Sequence, residues 1–252
     1  MSGALLVVGD VVTDVVAVHT EPLAPATDTP ARIRTLPGGA GANAACWAAR
    51  CGAAEVRLLA RVGADSAVWH ERALAAAGVR PHLVVDPVEP TGTVVALVGK
   101  DAERTFLTDG GAALRLSPAD WTPALLDGVA HLHVSGYLFL ADGSRDAAEL
   151  ALRSARERGV PVSVDPASAG FLSTLGVNRF LASVEGASVL LPNEEEARLL
   201  AGRADVAAAA AGLSLRFPLV VVTRGAAGAL VAEAGAVTAE VPAQEVRAVD
   251  TT

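Results

Sequence analysis

Pro37-Gly-Gly-Ala-Gly-Ala-Asn-Ala-Ala45 carries three glycines in four positions, directly before an apolar run from Ala42 to Ala49. Glycine permits φ > 0 and close backbone approach, so this reads as a tight loop feeding a helix start. A helix start leaves N–H groups free to face a ligand. Asn43, in the first turn, adds a side-chain donor and acceptor. Two readings fit: a plain strand-to-helix turn, or a site for a polyhydroxylated or anionic small molecule. Upstream, Asp14 interrupts an apolar run from Val11 to Val18. At the end of a parallel strand a carboxylate is in place to hold a ligand, because such sheets bind at their carboxyl ends.

Further on, Pro192-Asn-Glu-Glu-Glu196 opens a helix. Asn193 with Glu196 suits a capping box, yet three successive acids exceed what capping needs, and a carboxylate there could hold magnesium through water. Thr223-Arg-Gly-Ala-Ala-Gly228 is a second strand-end loop with paired glycines. It is either an ordinary turn or a backbone wall for a nucleotide. His131 and His133 share one face of a strand, but no partners at zinc-ligand spacing accompany them. The only lysine, Lys100, is followed by Asp101, so no Walker loop exists, and the protein-kinase signature set and the Gly-x-Ser-x-Gly elbow are missing too. The Gly39-Ala-Gly41 pair has Ala44 where a dinucleotide fingerprint needs its third glycine.

The elements that must position these residues follow from patterning. The chain has 252 residues, 52% hydrophobic but only 4% aromatic. An aliphatic, alanine-rich core suits a parallel sheet covered by helices. Net charge is −8, which argues against a nucleic-acid partner but not against a nucleotide ligand. Cys46 and Cys51 sit five apart on one helix, as small core residues in a reducing compartment. No signal peptide or transmembrane stretch is visible, so a cytoplasmic protein is expected. Strands are predicted at 4–9, 56–62, 130–135, 160–165, 187–191 and 219–223, with helices at 42–50, 67–77 and 144–158 and from 193 onward. Ser117-Pro-Ala-Asp120 carries helix-start signals. A hairpin is predicted at 229–232 and 236–241. Short strands at 82–85, 93–98 and 104–108, without an intervening helix, join 15–36 in what reads as a small antiparallel layer inserted into the α/β domain.

Taken in order, these pieces resemble the ribokinase-like (PfkB) family of carbohydrate and nucleoside kinases. The likeness runs from Gly9-Asp10-Val-Val-Thr-Asp14 through Pro37-Gly-Gly-Ala-Gly-Ala-Asn43, Thr91-Gly-Thr93 with Glu103-Arg-Thr-Phe106, Asn193-Glu-Glu-Glu196, and Val222-Thr-Arg-Gly225 with Gly228, to Asp250-Thr-Thr252. It implies one ribokinase-like three-layer α/β/α domain over 1–252, with a mainly parallel central sheet and a small β-sheet lid from insertions at about 15–36 and 90–109. It implies transfer of a phosphoryl group from ATP, with Mg2+ and a monovalent cation such as K+, to a hydroxymethyl group of a sugar or nucleoside. Asp14, Gly38, Gly39 and Asn43 would hold the acceptor; Asn193, Thr223, Gly225 and Gly228 the nucleotide; Glu196 the magnesium; Asp250 a cation loop. A homodimer through the lid is compatible with it, whereas nucleic-acid and membrane partners are not expected.

Departures exist. Val12 and Ala40 stand where ribokinase-type members carry Asn and Lys, Trp69 where glycine is usual, and Ala113 where asparagine is common. The family continues past Asp-Thr-Thr into Gly-Ala-Gly-Asp, whose aspartate is the base. The sequence stops at Thr252, so it is expected to be truncated and not a competent kinase by itself. The alternatives are a non-catalytic sugar- or nucleotide-binding protein and, further off, a Rossmann-type oxidoreductase.

Overall fold

The computed structural model describes residues 3–100 and 103–245. In chain order its elements are β1 (Ala4–Val8), β2 (Val12–His19), β3 (Ala31–Gly38), α1 (Ala40–Arg50), β4 (Val56–Gly63), α2 (Ala67–Ala76), β5 (Val79–Asp86), β6 (Thr91–Val98) and β7 (Arg104–Gly111). Then follow β8 (Val129–Ser135), α3 (Asp142–Glu157), β9 (Val162–Asp165), α4 (Ala169–Leu175), α5 (Val177–Ser183), β10 (Val189–Leu190), α6 (Glu194–Ala201), α7 (Val206–Leu213), β11 (Leu219–Thr223), β12 (Ala229–Glu233) and β13 (Ala236–Val241).

A nine-stranded sheet runs in the order β13-β12-β11-β10-β9-β8-β1-β4-β5. From β5 to β11 every pairing is parallel, and the β12–β13 hairpin adds antiparallel strands at one edge. The strand order reverses at β1. The chain leaves β1 towards β4 and β5 on one side and later fills β8 to β11 on the other. That is the switch point beside which open α/β sheets form their binding crevice.

Alternation along the strands explains the layering. Leu6, Leu132, Val164, Leu190, Val220 and Leu230 are completely buried on one face, each contributing about 1.5–3 kcal/mol. Helix α3 covers much of that face because Ala147, Ala148, Ala151, Leu152 and Ala155 recur at helical spacing, and it ends where Gly159 takes φ 68°. Val7, Leu58, Ala60 and Val62 form a second core with Ala42 and Ala45 of α1 and Leu74 of α2, on the opposite face.

The second sheet is β3-β2-β6-β7. It was expected to be antiparallel, but its central pair, β2 with β6, is parallel. Each of these strands opens a separate hairpin, β2 with β3 and β6 with β7, and the two hairpins meet through these first strands running in the same direction. The segment around His82–Val85 does not join this layer: β5 pairs in parallel with β4 in the large sheet, because α2 carries the chain back as a crossover. Two residues tie the base of the small sheet to α2 and to the β4–α2 turn before it. The Thr13 hydroxyl meets His70 Nε2 at 3.0 Å, and Thr91 accepts from Gly63 N at 2.9 Å while its own N–H donates to Asp65 at 2.9 Å.

Ser117-Pro118 starts only a single 3-10 turn, although Ser117 and Asp120 form a full capping box. Thr122-Pro123 follows at once and restarts the chain in another short turn, so no helix propagates. Helices α4, α5 and α7 carried no clear sequence signal. The first two are seven-residue pieces separated by Gly176, and α7 is nearly all alanine, with no polar face to mark a period.

Candidate functional site

The carboxyl ends of the parallel strands line up their last residues. Gly9 and Asp10 follow β1, Ser135 ends β8, Asp165 ends β9, Asn193 follows β10 and Thr223 ends β11. Four inter-strand steps separate the first from the last, about 19 Å.

At the β1 end the chain enters the small sheet, and Asp14 is the third residue of β2 rather than the end of a parallel strand as expected. Its carboxylate lies against Gly38. A Cβ built on Gly38 would stand 2.0 Å from Asp14 Oδ2, so the two are brought together and a larger residue at 38 would have to push the carboxylate aside. Gly39 takes φ 107° at the N-cap of α1, with its Cα close over the Asp10 carbonyl. Gly41 packs against Gly9, where a Cβ would come within 2.6 Å of the Gly9 Cα. Asn43 is exposed in the first turn of α1.

The amides of this loop were expected to be free for a ligand, and they are not. Asp10 Oδ2 accepts from Ala40 N at 2.7 Å, Oδ1 accepts from Gly41 N at 3.2 Å and from Ser135 Oγ at 2.6 Å, and the Asp10 carbonyl accepts from Ala42 N at 3.1 Å. The buried carboxylate thus caps the helix from a neighbouring strand end. Nor is the loop a dinucleotide turn, because it follows β3 of the small sheet rather than a strand of the parallel one.

At the other end Asn193 caps α6. Its Oδ1 accepts from Glu196 N at 2.9 Å, while Glu196 accepts from Asn193 N at 2.9 Å and from Asn193 Nδ2 at 2.6 Å. Glu196 is buried, and burial, reinforced by the charges of Asp165 and Glu195, pushes its pKa up to about 7 against the bonds from Asn193. Thr223 forms a parallel bridge with Asn193, and its N–H donates to the Pro192 carbonyl at 2.9 Å, so the loops after β10 and β11 adjoin. The Arg224 guanidinium pairs with Glu194 at 3.0 Å. Gly225 is exposed with φ 55° and open space around it, whereas Gly228, at φ 84°, abuts the Val241 carbonyl and turns the chain into β12. Asp250 lies outside the described residues.

Between the two ends stand residues to which sequence reasoning gave no role. Burial, with Asp10 adding to it, raises the Asp165 pKa even though Ala167 N donates to its Oδ1 at 2.9 Å. Ala167 itself takes φ 84°, a strained conformation for a non-glycine residue. The Tyr137 hydroxyl is pushed up to about 12 by burial and then by Asp10, Asp165 and Glu196, so one phenol senses both ends of the row. Applying the strand-end rule to every predicted strand, not only the first, would have singled out Ser135 and Asp165.

His131 and His133 do share a face, and both rings engage Ser163 Oγ, at 2.8 and 2.9 Å. Burial, then the neighbouring His131, lowers the His133 pKa to about 4. Among the described residues no three His, Cys, Asp or Glu side chains converge closely enough to hold a metal by themselves, and no helix is long and apolar enough to cross a membrane.

Residues 3–252 match the pfkB family carbohydrate kinase description. The chain is 32% identical to a fructokinase of Klebsiella pneumoniae, over 100% of this chain and 80% of that protein. It is 30% identical to a ribokinase of Haemophilus influenzae, over 79% of this chain and 64% of that protein. An adenosine kinase structure from Sinorhizobium meliloti superposes with a TM-score of 0.85 at 20% identity, covering 99% of this chain and 83% of that one. An E. coli structure described as a ribokinase II in complex with ATP and Mg2+ gives 0.83 at 23% identity, covering 98% and 80%. At these identities the structural likenesses speak for the fold.

Proposed function

Because the chain belongs to the pfkB family of carbohydrate kinases, we propose that the crevice along its strand ends carries the transfer of the ATP γ-phosphoryl group to a hydroxymethyl group of a sugar or nucleoside. The observation that supports this reading is the pairing of two dissimilar ends in one row. Asp14 on Gly38 suits acceptor hydroxyls, and the Asn193–Glu196 box beside Thr223 suits a nucleotide.

At the acceptor end the Asp14 carboxylate accepts bonds from neighbouring hydroxyls, Gly38 and Gly39 let backbone approach the sugar, and Asn43 offers a donor and an acceptor. At the nucleotide end Asn193, Thr223, Gly225 and Gly228 line the phosphates and base. The donor set near Glu196 fits a magnesium ion: its carboxylate oxygens are hard ligands, and Asp165 and Glu195 crowd negative charge around it that a divalent cation would offset. Held through water by Glu196, the ion would neutralise phosphate charge during transfer. Asp250 opens the loop assigned to a monovalent cation. The small sheet, tied to the body at Thr13 and Thr91, acts as a lid over the acceptor and excludes water.

The face of the lid turned away from Asp14 carries Ile33, 64% exposed, and Leu107, 59% exposed, on the same side as Val15, Val95 and Leu97. This apolar surface supports self-association of the chain as a homodimer. The net charge of −8 disfavours nucleic-acid partners. The test is acceptor-dependent ADP release from MgATP across fructose, ribose and adenosine, with binding of MgATP followed in parallel. A chain that neither releases ADP with any acceptor nor binds MgATP would remove this reading.

A further inference from the structure

One region of the surface opposes the charge of the whole molecule. The chain carries a net charge of −8, yet a groove of about 420 Å³ between α3 and α5 is lined by the guanidiniums of Arg145, Arg153, Arg156 and Arg179. That volume lies in the range of small-molecule sites. The α3 contribution follows from helical spacing. Positions 145, 149, 152, 153 and 156 fall on one stripe of the helix, about 16 Å long. Leu152, buried, is the floor of that stripe, and α5 supplies the facing wall through Arg179 and Ser183. Glu149 and Glu185 are the acids of the lining, so the cations outnumber them. Every cation is an arginine, whose planar fork takes two oxygens of one phosphate or carboxylate.

At one end the arginines of the groove already hold an oxyanion, and it belongs to the protein. Arg145 and Arg179, from opposite walls, both donate to Oδ1 of Asp142, whose side chain is 84% exposed. Further along, Ser183 Oγ donates to Glu149 Oε1 at 2.6 Å and ties the walls together. Arg156 gives one N–H to the Glu185 carbonyl at 3.3 Å and lies on Gly186, where a Cβ would come within 2.9 Å of its guanidinium. Between these fixed points stands Arg153. It is exposed, and among the described residues it has no hydrogen bond or ion pair. A guanidinium carries five N–H donors. Arg153 brings all of its own to the groove, and Arg179 brings those not given to Asp142.

We propose that the α3–α5 groove binds a small multivalent oxyanion, a phosphate or a polycarboxylate, through Arg153 and Arg179, with Asp142 as the internal competitor at the α3 start. None of the lining residues belongs to the crevice, and the proposal is independent of the kinase reading. The walls are helices reached from β8 and β9, so an occupant bridges the two segments that leave Ser135 and Asp165.

The test is calorimetric titration of the full chain, in metal-free buffer at fixed ionic strength, with pyrophosphate in one arm and citrate in the other. One saturable site is expected in at least one arm. Binding of pyrophosphate alone identifies a phosphate ligand, citrate alone a polycarboxylate, and both a general oxyanion site. Arg153→Glu, at an exposed and unpartnered position, should weaken binding by about tenfold or more. Arg72→Glu makes the same change of charge at an exposed position of α2, across the sheet, and should alter Kd by less than about twofold. Asp142→Asn releases Arg145 and Arg179 and should tighten binding severalfold. Circular dichroism checks the folding of each variant, and Arg153→Gln replaces Arg153→Glu if charge reversal unfolds the chain. No saturable binding of either anion, an affinity unmoved by the Arg153 substitution, an equal loss in Arg72→Glu, or an affinity that Asp142→Asn fails to raise would each overturn the proposal.

Discussion

The two ends of the crevice, the proposed acceptor end at Asp10 and Asp14 and the proposed nucleotide end at Asn193 and Thr223, solve the same local problem in opposite ways. At each, a helix start presents orphan amides to a carboxylate at the carboxyl edge of the sheet. At the acceptor end the carboxylate comes from outside the helix: Asp10 reaches across from β1 and ties α1, β1 and β8 together through Ala40, Gly41 and Ser135. At the nucleotide end it comes from within: Glu196 folds back on its own cap residue, Asn193. The first arrangement joins distant parts of the chain and is structural before it is functional. The second is local, so Glu196 can change its partners without loosening the sheet.

The largest expected effect tests that contrast. Asp10→Ala leaves the Gly41 amide and the Ser135 hydroxyl buried without this acceptor, each at about 1–3 kcal/mol, and the part-buried Ala40 amide without it as well. Glu196→Ala removes bonds to Asn193, whose exposed position lets water replace them, and should cost about 1 kcal/mol. Chemical denaturation of the two variants measures the difference. Equal losses, or a greater loss at Glu196, would mean that the nucleotide end also holds the fold together.

That contrast also explains what could be read from sequence. The capping box at α6 was legible because its motif is contiguous: Asn193 and Glu196 lie three residues apart, and the box follows from that spacing. The acceptor end was legible only in part. The glycines and Asp14 were visible as residue types, but the Asp10–Ser135 bond spans 125 positions and no local pattern encodes it. The loop amides therefore looked free when they were already taken. The same limit misassigned the His82–Val85 segment, since its β-propensity gave no sign of which sheet it would join.

A pH series sharpens the comparison at the nucleotide end. The folded-state pKa of Glu196 is about 7, against an ordinary 4.5. Between those values the folded chain holds a proton that the unfolded chain has released, so the stability due to this group is complete below about pH 4.5 and is lost as pH rises through 7. The loss amounts to about 3 kcal/mol. Glu196→Gln abolishes it, so the variant should gain stability relative to wild type as pH rises to 8 and lose that gain as pH falls to 4.5. A difference independent of pH would mean that Glu196 titrates alike in the folded and unfolded chain. Magnesium with nucleotide favours the charged form and should flatten the slope.

The smallest effects come from one glycine at each end, and they differ in kind. Gly225 takes φ 55° with nothing within 4 Å of an added Cβ, so Gly225→Ala meets only left-handed backbone strain, about 1 kcal/mol. Gly38 has no such backbone constraint, but its Cβ would stand 2.0 Å from Asp14 Oδ2. Asp14 is half-buried and can swing aside, so Gly38→Ala should leave the melting temperature nearly unchanged and instead move the carboxylate off its position. The consequence falls on ligand affinity: losing a charge-assisted bond to a hydroxyl costs about 1.5–3 kcal/mol, a tenfold or greater rise in acceptor Kd, with nucleotide affinity unaltered. Measuring melting temperature and both affinities on the two variants separates these outcomes. Gly225→Ala should register in stability and Gly38→Ala in acceptor binding. An acceptor Kd untouched by Gly38→Ala would mean that the Asp14–Gly38 contact serves the lid hinge rather than the sugar.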